Sequence, residues 1–420
     1  MSFQQGLSGL NVMSKSLDVI GNNIANANTY GAKSSRAEFA DMYASALNGA
    51  GTNNVGIGVQ LASVSQQFTQ GNITATENPM DVAINGGGFF QLTDGHSPVT
   101  YSRNGQFKVD STGNIVNNQG LKLMGYQADN TGTIQPGLAV PLQLPTAGIS
   151  PQATTSIDME FNLDSRLATT DPGSGVSPRI NFTDATTYNK ATSLTTYDAK
   201  GQPVALTYYY QKTDTDKWNV YVTANGTSVG GSSTDPQPLT ELDFQSDGSS
   251  ATPTGVTFDI PASQNSAGSQ TLPITGIDLS FKGSTQYGSD FAVTNLAQDG
   301  YAPGSLSSIA IDDSGIIMAR YSNGQSKPAG QVELATFRNM QGLQPMGGNG
   351  WQRTYASGDP VVGTPGVGNI GSLQAGALEE SNVDLTGELV GMITAQRNYQ
   401  ANAQTIKTMD QVLQTLVNLR

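Results

Sequence analysis

At 420 residues, with 13% charged and 36% apolar side chains and 49 glycines, the chain fits two or three β-rich, turn-rich units with neutral polar surfaces. A net charge of -13 excludes nucleic acid and anionic membrane surfaces as expected partners. The absence of cysteine and the single histidine, His96, exclude disulfides and thiolate or histidine metal clusters. No run nears the roughly 18 apolar residues that span a bilayer, and MSFQQGLSGLNVMSK has no basic segment ahead of an apolar one, so neither membrane insertion nor a cleaved signal peptide is expected.

The first predicted element is a helix over residues 3–27. Ser2 and Gln5 have capping-box spacing, and Phe3, Leu7, Leu10, Leu17 and Ile24 recur at helical intervals. Alone this helix is weak. Gly6, Gly9 and Gly21 each cost about 1 kcal/mol against Ala. Asn22, Asn23, Asn26 and Asn28 crowd its end, and an isolated helix of this length is marginal in water. Burying its five large apolar side chains returns roughly 1.5–3 kcal/mol each. The segment is therefore expected to order only against partners.

The interior reads as strand and turn. Residues 31–70 are expected as an extended or hairpin connector, 71–147 with 302–375 as an inner β domain, and 148–301 as an inserted outer β domain. A turn signature recurs in which an apolar residue and Asp are followed by Gly and a second apolar run. Val109-Asp110 with Gly113 and Ile115, Tyr197-Asp198 with Gly201 and Val204, and Ile311-Asp312 with Gly315 and Ile316 all carry it. Leu206–Tyr210 and Trp218–Val222 read as strands flanking the middle turn. Pro141, Pro145 and residues 148–155 end the first β region, and 170–178, 226–240 and 249–255 read as loops.

Residues 358–372 form an extended or looped lead into a second helix over 385–419, about 50 Å long. Leu385, Leu389, Met392, Tyr399, Ala403, Ile406, Met409, Leu413 and Leu416 keep its helical spacing, with Ser381 and Asp384 ahead of it. Both helices carry apolar residues beyond a single seam: Met13, Val19 and Ile20 in the first, Val390, Ile393 and Val412 in the second. That extra width calls for more than one neighbour, as in a multi-helix assembly. The fold class is α+β, mainly β, with discontinuous β domains threaded between coiled-coil-like terminal helices.

Catalytic readings find little support. Gly366-Val367-Gly368-Asn369-Ile370-Gly371 fits the dinucleotide fingerprint in form, but Thr364-Pro365 precedes it instead of a buried parallel strand. Gly86-Gly87-Gly88 lacks the Gly-Lys-Ser/Thr of a phosphate loop and suits a bulge or turn. His96 sits in a polar turn without a nucleophile. The pairs Asp312-Asp313 and Glu379-Glu380 are adjacent residues that point apart, unlike a glycosidase pair. No catalytic residue, cofactor or metal is expected, and the chain reads as a self-associating structural protein rather than an enzyme.

SGLNVMSKSLDVIGNNIANANTYGAK at the start and ALEESNVDLTGELVGMITAQRNYQANAQTIKTMDQVLQTLVNLR at the end resemble the paired signatures of the bacterial flagellar axial family of rod, hook and hook-associated proteins. DVAINGGGFFQL, YSRNGQFKVD and NIVNNQGLKLMGY are similar to that family's inner β domain. The length, the Ser/Thr-rich insert and YSNGQ…GQVELATF near 321–337 are most similar to its hook members. Ala32 departs from the Gly-Phe-Lys triplet usual in the family.

The resemblance implies a subunit exported by the flagellar export apparatus without a cleaved signal peptide. Such a subunit polymerises outside the cell, head to tail, into a curved tube between rod and filament, meeting rod, hook cap and hook–filament junction proteins. It further implies that the two terminal helices pair to line the inner tube, and Phe3, Leu7, Leu10, Leu17, Ile24, Leu389, Met392, Tyr399, Ile406, Leu413 and Leu416 are expected to form that axial helical core. A distal rod or junction protein is the structural alternative. A secreted β-rich glycan hydrolase or adhesin is the alternative from another class.

Overall fold

Helix α1 (Ser2–Ala25) ends where its asparagines begin to favour turns: Thr29 Oγ1 donates to the Asn26 carbonyl, and the chain reverses through Gly31 at φ +71°. Glycine is required there, because a Cβ would come 2.5 Å from the Asn104 backbone nitrogen. The computed structural model describes residues 2–42, 56–129, 132–173 and 175–418, with side chains from Phe3 to Thr415. The Ser2 side chain of the expected capping box and the Leu416 side chain lie outside the described residues.

An antiparallel hairpin follows, β1 (Ser35–Met42) with β2 (Gly58–Gln66), laid along α1. Asn23 fixes it with a reciprocal pair: Nδ2 donates to the Ser35 carbonyl and Oδ1 accepts from the Ser35 amide, both at 2.8 Å. Near the other end of the helix, Gln5 Nε2 donates to the Gly56 carbonyl at 2.7 Å. Helix α2 (Leu385–Asn418) begins at Asp384, whose side chain accepts from the Thr386 amide and whose carbonyl accepts from the Glu388 amide.

The chain divides into two compact units. The first joins residues 1–146, 308–320 and 326–420; the second joins 147–307 and 321–325. In the first, an antiparallel sheet runs through Phe89–Thr93, Lys122–Gln127 and Ser326–Val332 over a core that includes Phe90, Phe107, Ile115, Leu123 and Leu334. A second cluster interlocks Phe68, Phe89, Phe337 and Trp351 edge to face. The stretch leading to α2 is pinned by short strands: Ser372–Ala375 pairs with Val82–Asn85, and Ala377–Glu379 with Ile73–Ala75.

The second unit packs a four-stranded sheet against a six-stranded one. Strand Pro203–Asp214 alternates as its sequence dictates, burying Val204, Leu206, Tyr208 and Tyr210 on one face. Strand Lys217–Ala224 is covered on both faces. Residues 175–189 close over its far side, where Phe182 meets Tyr221 and Gln211 Nε2 donates to the Arg179 and Thr187 carbonyls. One expectation needs correction. The strand opposite Pro203–Asp214 across the Asp198 turn is Lys190–Tyr197, whereas the Trp218 strand returns through a separate turn at Thr215–Asp216.

All three predicted Asp–Gly turns form, and they share one geometry. At the first, Asp110 Oδ1 accepts from the Thr112 and Asn114 amides at 2.8 Å, while Gly113 takes φ +85° and donates to the Asp110 carbonyl. Asn117–Gly120 and Asn265–Gly268 repeat it with Asn in place of Asp. The side-chain hydrogen bonds from Thr112 and Asn114 hold Asp110 down to about 2, and amide and hydroxyl donors of Ser97 and His96 hold Asp94 there too. A folded-state value below the unfolded one near 3.9 gives stability that is present above about pH 4 and lost as pH falls toward 2. Thermal unfolding followed at pH 5, 3 and 2 should therefore show a falling midpoint, and Asp110→Asn should flatten that fall in the first unit.

Candidate self-assembly surface

The two terminal helices lie side by side and run in opposite directions. As α1 advances from Gly6 to Asn23, its neighbours on α2 run back from Ile406 to Glu388. A Cβ at Gly6 would sit 3.2 Å from Ile406 Cγ1, and one at Gly9 would sit 2.8 Å from Asn402 Nδ2. Ile20 Cδ1 lies close over Gly391. Asn23 Nδ2 donates to Glu388 Oε1 at 2.7 Å from a nearly buried position. Small and polar residues thus let the backbones approach and fix the register, and Val12 and Ala395 are buried apolar residues of the two helices.

The large apolar residues that the spacing picked out are less fully covered. Of the eleven, Ile406 packs into the seam against Gly6. Leu10, Leu17, Ile24 and Met392 are half-buried, while Phe3, Leu7, Leu389, Tyr399 and Leu413 are exposed. Leu385, Val390, Ile393 and Val412 of α2 are exposed as well, Ile393 at 52% and Val390 at 60%. Single exposed apolar residues need no explanation, but a band of them on two paired helices marks an interaction surface.

The chemistry of α2 suits burial. Its 34 residues carry four charged side chains, Glu388, Arg397, Lys407 and Asp410, too few for a helix that stays in water on all remaining sides. The hydroxyls of Thr394, Thr405, Thr408 and Thr415 donate back to carbonyls of their own helix. Those donors are already satisfied, so a neighbouring helix could cover them at low desolvation cost. Sequence spacing missed Gly6, Gly9, Gly391, Asn402, Asn23 and Glu388. The available signal was the interval of three between Gly6 and Gly9 inside an otherwise helical pattern.

Among the described residues no helix is long and apolar enough to cross a membrane. His96 is exposed, its amide held by Asp94, and Gly366–Gly371 is a turn-rich loop.

Four family descriptions match the chain. They are flagella basal body rod protein over 3–33, flagellar hook protein FlgE/F/G D1 domain over 83–197, flagellar basal body protein FlaE D2 domain over 162–301, and flagellar basal body rod FlgEFG protein C-terminal over 374–419. The chain is 44% identical over 426 residues to the flagellar hook protein FlgE of Salmonella typhimurium (strain LT2), with both chains fully covered. Identity is 43% over 432 residues to that of Escherichia coli (strain K12), again with full coverage of both. It is 33% to that of Rhizobium meliloti (strain 1021), with 100% of this chain and 98% of the relative covered. A crystal structure of Helicobacter pylori flagellar hook protein FlgE2 superposes with a TM-score of 0.52 at 15% identity, over 73% of this chain and 100% of that one, a likeness of fold. On this evidence the chain belongs to the flagellar hook protein family.

Proposed function

We propose that the chain is the structural subunit of a bacterial flagellar hook, without catalytic activity, that polymerises head to tail through its paired terminal helices into a curved tube. The observation that carries this reading is the apolar band left uncovered on α1 and α2, which one copy cannot bury by itself. Surfaces that meet heterologously and do not close a ring generate open helical polymers. The tube joins rod to filament and transmits torque while bending. The subunit's partners are further copies of itself, the rod, hook cap and hook–filament junction proteins, and the export apparatus that delivers it outside the cell without cleaving a signal peptide. Bending requires contacts that lengthen and shorten each turn. Neutral Ser-, Thr-, Asn- and Gln-rich surfaces of residues 148–301 suit that, because they exchange hydrogen bonds with water at small net cost.

Sedimentation of the purified chain in sulfate salt tests the reading. Pelleted mass should appear above a threshold concentration and then rise in proportion to added protein. A chain lacking residues 1–30 and 376–420 should stay in the supernatant throughout. Equal pelleting of both chains would reject assembly through the ends.

A further inference from the structure

Three distant segments of the first unit meet in a buried ion cluster. Lys33, eight residues beyond the end of α1, places Nζ 2.6 Å from Glu379 Oε1, and both side chains are fully buried. Arg103, from the inner β region, places Nη1 3.0 Å from Glu379 Oε2. Glu379 itself stands six residues ahead of α2, at the end of the strand paired with Ile73–Ala75. The remaining hydrogen-bonding capacity is mostly filled by backbone: Lys33 Nζ donates to the Thr69 carbonyl, Gly71 N–H donates to Glu379 Oε1, and Arg103 donates to the Ile84 and Gly86 carbonyls. The Arg103 guanidinium also lies 5.6 Å from the centre of the Phe89 ring.

The charge count is uneven, with two cations sharing one anion. Burial pushes the Lys33 ammonium below its ordinary value. Glu379 opposes that through its charge and its hydrogen bond, while Arg103 adds to it. Seated without Lys33, Glu379 still pairs with Arg103 and the pocket is neutral. Seated without Glu379, Lys33 would bring a second cation beside Arg103 with no anion between them. A buried charge left without its partner is far costlier than a complete pair. The two ends of the chain therefore do not depend on each other equally.

We infer that Glu379 is a positioning residue that orders the closure of the subunit: the segment leading into α2 docks on the inner β domain first, and only then can Lys33 seat and bring α1 with it. A main-chain bond runs the same way, since Gly31 N–H donates to the Glu379 carbonyl at 2.8 Å. Next to it Asn382 accepts from the Ser34 amide and donates to the Gln67 carbonyl, so the connector is also tied to the segment ahead of α2. This device concerns the single subunit and stands independently of what the tube contacts.

Hydrogen exchange on the full chain, read on peptides covering 5–34, 380–395 and 204–224, tests the order. Glu379→Gln should speed exchange in 5–34 by more than about a hundredfold and also loosen 380–395, with 204–224 unchanged as the check on folding. Adding Lys33→Met removes the second cation, and exchange in 5–34 should slow again by at least about tenfold, a relief that a purely steric role for Glu379 would not give. Exchange in 5–34 within about threefold of the parent after Glu379→Gln, or no relief from Lys33→Met, would overturn the inference. Lys33→Met alone supplies an arm that does not depend on the Glu379 variant folding. Peptide 380–395 should stay within about threefold of the parent, and a tenfold rise there would overturn the proposed order.

Discussion

A chain carrying Leu389→Asp and Leu413→Asp should remain soluble at concentrations where the parent polymerises, with the melting of its β units unchanged. Both leucines are about half exposed in the single subunit, so their replacement removes little from its own stability. In an assembly each would be covered by a neighbouring copy. Because each is already half covered, the lost burial is roughly 0.8–1.5 kcal/mol per side chain, and covering a carboxylate adds a desolvation cost. Two such losses raise the threshold concentration at least about tenfold, since each 1.4 kcal/mol is about a factor of ten. Analytical sedimentation across that range reads the effect directly. An unchanged threshold would show that the apolar band on α2 is not a contact.

Trp218→Ala should separate the two units thermally. Trp218 is fully buried in the core of the second unit, among Tyr208, Tyr210 and Leu242, with the Lys212 ammonium 5.8 Å from its ring centre. Truncating a buried Trp to Ala costs about 3–5 kcal/mol, through lost transfer energy and the cavity left behind. For a unit of this size that lowers the midpoint by roughly 6–20 °C. Each unit has its own core, so calorimetry should show one transition moving and the other holding. A joint shift of both transitions would mean that the units unfold as one.

The features legible in the sequence are those set by local chemistry. Both helices were readable because apolar residues recur at 3 and 4 in stretches nearly free of charge. The Asp–Gly turns were readable because Asp supplies the acceptor and Gly the positive φ within five residues. Pairings over long separations were not. Lys33 and Glu379 are 346 positions apart and Arg103 and Glu379 are 276 apart, and nothing local marks Glu379 as the buried member of the pair Glu379-Glu380. The seam between the helices was missed for another reason. Apolar spacing ranks large side chains, whereas close backbone approach needs small ones such as Gly6, Gly9 and Gly391. Sequence alone does not place the Trp218 strand, because the strand Pro203–Asp214 flanks two turns and composition does not choose between its two partners. Likewise, no sequence pattern announces that Ser156–Asp158 runs parallel to Asp278–Ser280 inside a mainly antiparallel unit.

On the function proposed above, the paired terminal helices, rather than the β units, hold the polymer together. A helical reconstruction of tubes grown from the full chain tests it most directly. Leu389, Ile393 and Leu413 should pack against neighbouring copies along the inner wall, with residues 148–301 at larger radius. A tube in which those side chains face water and copies touch only through their β units would contradict it.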